Sequence, residues 1–186
     1  VSNSLKNETH KYFNYDGEIN VVPNFIDFQR FNKQPKDHFK KMIAPNNEKV
    51  IIHTSNFRKV KRVFDVLEVF RKIAKEIPAK MLFIGDGPER NMLEKECMSC
   101  DMCKDITFLG KQEAVEEILS IADLFIIPSE TESFGLAALE AMACEVPVIS
   151  TNTGGLKEVN IDGVTGFTSD VGDTTKMAKD ALHILK

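Results

Sequence analysis

The stretch Glu130-Thr131-Glu132-Ser133-Phe134-Gly135-Leu136-Ala137-Ala138-Leu139-Glu140 carries two carboxylates to the entrance of a helix. Residues 137–143 are strong helix formers, and Ser133 and Gly135 suit the cap and the start. Glu132 then stands just outside the helix and Glu140 within it. Free backbone N–H groups at such a helix start, aided by the macrodipole, hold a phosphate. Two carboxylates beside it would repel a bare phosphate, so they call for a neutral, hydroxyl-rich group next to it. A nucleotide-sugar meets both demands. A plainer reading also stands: Glu132 complements the helix dipole and Glu140 is a solvated surface charge.

Three other loops have chemistry to offer. In Asn56-Phe57-Arg58-Lys59-Val60-Lys61-Arg62, four cations crowd the predicted start of a helix. Each is disfavoured there by a few tenths of a kcal/mol up to about 1, unless an anion such as a diphosphate sits among them. The alternative is a basic face whose long side chains point to solvent. Thr151-Asn152-Thr153-Gly154-Gly155 precedes another helix, and Gly154 and Gly155 allow a backbone to approach a ligand closely, or form a plain loop. Gly85-Asp86-Gly87-Pro88 reads mostly as a turn. No Gly-x-Gly-x-x-Gly or Gly-x-x-x-x-Gly-Lys-Ser/Thr motif follows a strand, which counts against dehydrogenases and P-loop kinases. No Gly-x-Ser-x-Gly elbow offers an activated serine. No Asp-x-Asp pair is present to hold a divalent metal on a diphosphate, so no metal is expected and leaving-group charge must be met by protein cations and helix dipoles.

The elements that position these loops follow from hydrophobic periodicity. From Lys49 onward, apolar β-branched runs (50–53, 81–84, 106–109, 124–127, 146–150) alternate with helical patterns (63–77, 89–103, 113–121, the stretch after Phe134, a short one near Leu156, and one from Thr174). Strands this apolar, uniformly separated by helices, predict a parallel sheet covered on both faces: a doubly wound α/β, Rossmann-like domain. Ligands of such sheets bind beyond the carboxyl ends of the strands, where all four loops fall. Before Lys49 the alternation fails. Residues 1–13 read as a polar helix, 19–24 as a strand ending in a turn, and 35–47 as a polar, proline-flanked connection.

The 186 residues suffice for one full domain, or one with an appended piece, and 24 basic against 28 acidic residues argue against general binding to nucleic acid or an anionic membrane. No signal segment and no membrane-length apolar run is present, so a soluble, cytoplasmic chain is expected. Cys97, Cys100, Cys103 and Cys144 read as reduced thiols. The spacing of the first three suits one side of a helix, and also resembles part of an iron–sulfur ligand run whose fourth member is missing nearby.

With these loops in hand, the chain resembles the C-terminal half of the retaining glycosyltransferases of family 4, which have the two-domain GT-B fold. The resemblance covers nearly the whole chain. Val21-Val22-Pro23-Asn24-Phe25-Ile26-Asp27 is similar to the hinge strand, Leu82-Phe83-Ile84-Gly85-Asp86-Gly87-Pro88-Glu89 and Thr107-Phe108-Leu109-Gly110 to the strand ends, and Pro128-Ser129 through Glu140 to the glutamate, seven residues, glutamate signature. It implies that residues 1–24 are a hinge-proximal segment closing an N-terminal domain and that 25–186 form the nucleotide-sugar domain. By the same likeness Glu132 would bond hydroxyls of the transferred sugar and Glu140 the ribose. Ser133, Phe134, Gly135 and Leu136 would meet phosphates and sugar, Lys61 would bind phosphate, and Gly110 and Lys111 would hold the base. The family's usual arginine five residues before that lysine is Asn56 here, and its role is carried to Arg58. Ser55-Asn56-Phe57-Arg58 with Val60-Lys61-Arg62, and Phe108-Leu109-Gly110-Lys111-Gln112, narrow the likeness to members that transfer N-acetylglucosamine from UDP-N-acetylglucosamine to L-malate in bacillithiol biosynthesis. The implied partners are a UDP-sugar donor, a small-molecule acceptor and the chain's own N-terminal domain, with no cofactor, no metal, and a homo-oligomer allowed. Other donors, polysaccharide or glycolipid acceptors, a UDP-sugar epimerase or hydrolase, and a non-catalytic binding module stay open.

Overall fold

A computed structural model describes residues 1–98 and 103–186. Six strands, β1 (Lys49–Ser55), β2 (Ala79–Gly85), β3 (Ile106–Gly110), β4 (Leu124–Ile127), β5 (Val148–Thr151) and β6 (Gly166–Ser169), form one sheet in the order β3-β2-β1-β4-β5-β6. Every pairing is parallel. The helices are α1 (Asn3–Phe13), α2 (Asp37–Ile43), α3 (Val63–Ala74), α4 (Arg90–Met98), α5 (Val115–Leu119), α6 (Leu136–Ala143), α7 (Leu156–Val159) and α8 (Thr174–Leu185).

The period-2 geometry of a strand divides the apolar runs between two cores. Ile51, Met81, Phe83, Ile126 and Ile149 face one side, under Val66, Phe70 and Ile73 of α3 and Met177 and Ala181 of α8. Their neighbours Ile52, Leu82, Ile84, Phe125, Ile127 and Val148 face the other, under Ile118 and Leu119 of α5 and Ala138 and Ala141 of α6. Both faces are buried under helices, which is why the strands read as continuous apolar runs rather than as alternation. The doubly wound, Rossmann-like expectation holds.

Several local expectations do not. Residues 19–24 form no strand, because nothing in the sheet pairs with them. A strand exists only through its hydrogen-bonded neighbour, and an alternating sequence by itself supplies none. The 35–47 connection contains α2, whose Phe39 and Ile43, four apart, pack against the second core. The pattern over 113–121 is helical only at Val115–Leu119 and that over 63–77 only at Val63–Ala74. The predicted strand 146–150 is Val148–Thr151, and β6 has no counterpart among the predicted strands, since Gly166-Phe167-Thr168-Ser169 is too short and polar to stand out. The far part of the 89–103 helix, with Cys100, lies outside the described residues.

Because all six strands are parallel, their carboxyl ends share one edge. From β1 the chain winds outward through β2 and β3, then returns to build β4, β5 and β6 on β1's other side. The loops leaving β1 and β4 therefore part from each other, and a crevice opens between them, as the topology of a doubly wound sheet requires.

Candidate functional site

That crevice is a cleft of about 550 Å³. Thr54, Ser55, Asn56 and Lys61 line it from β1 and its loop; Glu132, Ser133, Phe134, Gly135, Leu136 and Glu140 line it from the β4 side. Of the residues singled out in the sequence, all of the 132–140 group and Lys61 thus meet in one place. Arg58 is exposed in a smaller hollow alongside, bordered by Asn56, Lys61 and Thr131. It makes no ion pair among the described residues.

Two loops separated by about seventy residues are joined directly. Lys61 donates from Nζ to Oε1 of Glu132 at 2.5 Å, and Ser129 Oγ donates to the same oxygen at 2.8 Å. The other carboxylate oxygen of Glu132 has no hydrogen-bond partner among the described residues. A backbone bond from Glu130 N to Val60 O, at 2.8 Å, is a further link between the two loops. Ser129, fully buried, is itself held by Thr151, whose hydroxyl donates to its carbonyl at 2.6 Å. Ser129, Thr151 and Asn56 are site residues to which the sequence motifs assign no role. Ser129 is visible in the sequence only as the second residue of Pro-Ser.

The start of α6 differs from the sequence expectation in its cap. Gly135 occupies the cap position with φ +102°, and no side chain accepts a helix N–H, so Ser133 is not the cap. A left-handed φ suits glycine, and a Cβ there would lie 2.7 Å from Leu156. The N–H groups of Phe134 and Gly135, just before α6, and of Leu136, its first residue, meet no acceptor among the described residues and stand open at the helix N-terminus. Glu140, a turn further on, has a carboxylate without a hydrogen-bond partner among the described residues. Burial pushes its pKa up from the ordinary value, while Arg30 pulls it down and Glu116 adds to the rise. Arg30 is itself bonded to Glu116 at 3.0 Å, so it compensates Glu140 only from a distance.

Gly154 and Gly155 do not line the cleft. They press on its wall from behind: Gly155 N donates to Glu132 O at 2.8 Å, and a Cβ on Gly154 or Gly155 would come within 2.1 Å of Glu132 O or 2.4 Å of Ser133 O. Their small size sets the position of the loop carrying Glu132. Gly110, with φ +69°, and Lys111 stand at the carboxyl end of β3, two strands from the crevice but on the same edge of the sheet. Just after the 85–88 turn, Glu89 buttresses the β1 loop by donating from N to Phe57 O at 3.0 Å.

From the other side α1 lies against the cleft. Ser2 caps α1 and donates from Oγ to Ser133 O at 2.5 Å, and both carboxylate oxygens of Glu158 receive the N–H groups of Asn3 and Ser4. A smaller hollow of about 350 Å³ at the opposite end of β1 contains none of these residues, and its Lys40 is paired with Asp123 at 2.6 Å. Among the described residues no three His, Cys, Asp or Glu side chains are grouped as metal ligands; Cys103 Sγ instead lies 2.9 Å from Cys97 O. Nor is any described helix long and apolar enough to cross a membrane.

Comparison with known proteins follows the same outline. Residues 34–186 match the family model of the glycosyl transferases group 1. Over its whole length the chain is 46% identical to N-acetyl-alpha-D-glucosaminyl L-malate synthase of Bacillus anthracis, covering 49% of that protein. Sucrose-phosphate synthase from Thermosynechococcus elongatus superimposes on all of the chain with a TM-score of 0.89 at 24% identity, the chain covering 48% of it. Anabaena HepE, solved in complex with UDP-glucose, superimposes on 90% of the chain with a TM-score of 0.82 at 22% identity, again with 48% of its own length covered. The chain spans about half the length of the relatives it matches.

Proposed function

The chain belongs to the glycosyl transferases group 1, and from that premise we propose that its cleft binds a UDP-sugar, UDP-N-acetylglucosamine in particular, as the donor half of a retaining glycosyltransferase. The observation that carries this reading is the meeting of Lys61, Glu132 and the unpaired N–H groups of α6 in one crevice. A diphosphate placed at the α6 start would be met by the N–H groups of Phe134, Gly135 and Leu136 and by Lys61, with Arg58 reaching in from the rim. The free oxygen of Glu132 would accept from a sugar hydroxyl. Glu140 would accept from the ribose, gaining partners that the protein itself does not supply. The base would run along the sheet edge toward Gly110 and Lys111, and Gly154 and Gly155 would act through the loop they support. Binding is expected to need no metal and no cofactor, since the cations and helix dipole supply the positive charge.

Transfer would then proceed as the donor loses UDP while an acceptor hydroxyl attacks from the same face. Lys61 and Arg58 would stabilise the departing diphosphate, whose oxygen would take the acceptor's proton. The name of the 46% relative supports L-malate as acceptor, and the family likeness read in the sequence adds bacillithiol biosynthesis in the cytoplasm as the proposed context. Residues 1–24 would belong with an N-terminal domain that holds the acceptor and closes the cleft, which is why this chain alone is expected to bind without turning over.

Calorimetry with UDP-N-acetylglucosamine, UDP-glucose and UDP, with and without a chelator, tests the donor assignment. Binding lost on chelation would remove the metal-independent reading, and preference for UDP-glucose would change the sugar. For the chain extended by its N-terminal domain, UDP release that depends on malate, with an α-linked product by NMR, is the expected result. Malate-independent release would favour a hydrolase, isomerised donor without UDP release an epimerase, and a β-linked product would exclude retention.

A further inference from the structure

One buried titratable side chain under the cleft has no part in the scheme above. His53 belongs to β1, the strand on one side of the crevice, and is completely buried. It stacks on Phe57 and meets Phe83 edge-on, so it stands in an apolar cage. Its Nδ1 lies 2.8 Å from the carbonyl of Ile126 on β4, the strand on the other side of the crevice, and its Nε2 lies 2.8 Å from Ser55 Oγ.

The tautomer follows from the partners. A carbonyl oxygen only accepts, so Nδ1 carries the proton. Burial, the larger cause, and the nearby charge of Lys61 hold the imidazole neutral, so Nε2 is a lone pair and Ser55 must donate to it. Ser55 Oγ in turn accepts the N–H of Phe57 at 3.2 Å. Phe57 is fully buried at φ +37°, a left-handed backbone that a phenylalanine adopts only under constraint. The next residues carry Arg58 and the Lys59–Lys61 turn. A continuous chain thus runs from β4 through His53 and Ser55 to the backbone bend that launches the basic loop.

We propose that His53 is a positioning residue: its neutral Nδ1–H tautomer orders the Ser55 hydroxyl, which holds the bend at Phe57 and so aims Lys61 and Arg58 at the diphosphate. A second consequence concerns Ser55 itself. Although it lines the cleft, its only proton is committed to His53, so it can offer a ligand an acceptor but no donor, and it is not a phosphate-binding hydroxyl. The diphosphate part of the proposal rests on the donor reading of the cleft, whereas the hydrogen-bond chain does not.

The test uses His53→Asn, whose amide can still donate to Ile126 O while losing the link to Ser55, together with Ser55→Ala and the double variant. Each is expected to weaken UDP by about tenfold, the scale of one buried hydrogen bond, while uridine changes by less than about twofold. The double variant should be no worse than the weaker single one, because both cut the same chain. Independently of any ligand, nitrogen NMR of the unmodified protein should show His53 protonated on Nδ1 alone at neutral pH, and Ser55→Ala should speed amide exchange at Phe57. Additive losses, or equal losses for UDP and uridine, would overturn the positioning role. An Nε2–H tautomer or unchanged Phe57 exchange would overturn the chain itself, even if UDP proves not to be the ligand. Should His53→Asn fail to fold, the tautomer and the Ser55→Ala exchange rate decide.

Discussion

Substituting Glu132 by glutamine should move stability and nucleotide affinity in opposite directions. The Lys61–Glu132 pair is short, 2.5 Å, with side chains only 21% and 13% exposed. Unit charges about 4 Å apart near a protein surface attract by about 4 kcal/mol, and desolvation removes much of this; a charge-assisted hydrogen bond retains about 1.5–3 kcal/mol. Ser129 can still bond the oxygen of the introduced amide, and the Lys61 ammonium is exposed enough to hydrate, so the net loss should fall to about 1–2 kcal/mol. For a domain of this size that lowers Tm by about 3–6 °C. The same change frees Lys61 from a competitor and removes a carboxylate that repels the diphosphate. UDP should therefore bind the destabilised variant more tightly, by about three- to tenfold, with about 1.4 kcal/mol corresponding to a factor of ten. UDP-N-acetylglucosamine gains no such advantage, because the contact from position 132 to its sugar is weakened. Differential scanning calorimetry and titration calorimetry on the same preparations make the comparison. If UDP affinity falls in parallel with Tm, then Glu132 serves to shape the loop and does not compete for Lys61, and the reasoning fails.

Other outcomes follow from the same geometry. Lys61→Ala should weaken UDP by about 1.5–3 kcal/mol and leave uridine nearly unchanged, and Arg58→Ala should do so less, being more exposed; an unchanged UDP affinity for Arg58→Ala would shift attention to Asn56. Gly154→Ala places a Cβ 2.1 Å from Glu132 O at φ +50°, so Tm should drop by at least about 5 °C and donor binding should fall with it, as thermal melts and calorimetry would show. Burial raises the Glu140 pKa above its ordinary value of 4.5, so that group's stabilising contribution is complete in acid and is lost as pH rises through the raised value; Glu140→Gln should melt higher than the parent at about pH 7, lose that advantage by about pH 4, and bind UDP more weakly. His53, depressed to about 4 from 6.5, stabilises the fold fully above 6.5, and about 3 kcal/mol of that should be lost as pH falls to 4 in a pH series of denaturant melts, an acid sensitivity that His53→Phe would reduce.

Much of this protein is written locally. Runs such as Val50-Ile51-Ile52 and Leu124-Phe125-Ile126-Ile127 admit burial on both faces and little else, so the parallel sheet, its covering helices and the edge on which ligands bind are all readable from periodicity. Helix-forming residues after Gly135 likewise place Glu132 outside α6 and Glu140 inside it. Which residues meet is not written there. The Lys61–Glu132 pair spans two loops brought together by strand order, and strand order is decided by how six strands and their helices pack as a whole. For the same reason Gly154 and Gly155 read in sequence as facing a ligand when they face a backbone, and 19–24 reads as a strand with nothing to pair to. His53 reads in sequence as one polar residue at the end of an apolar run. Only the approach of Ile126 from β4 and Ser55 from its own strand fixes its tautomer, because a hydrogen bond is set by where its partner lies and residue type alone does not place that partner.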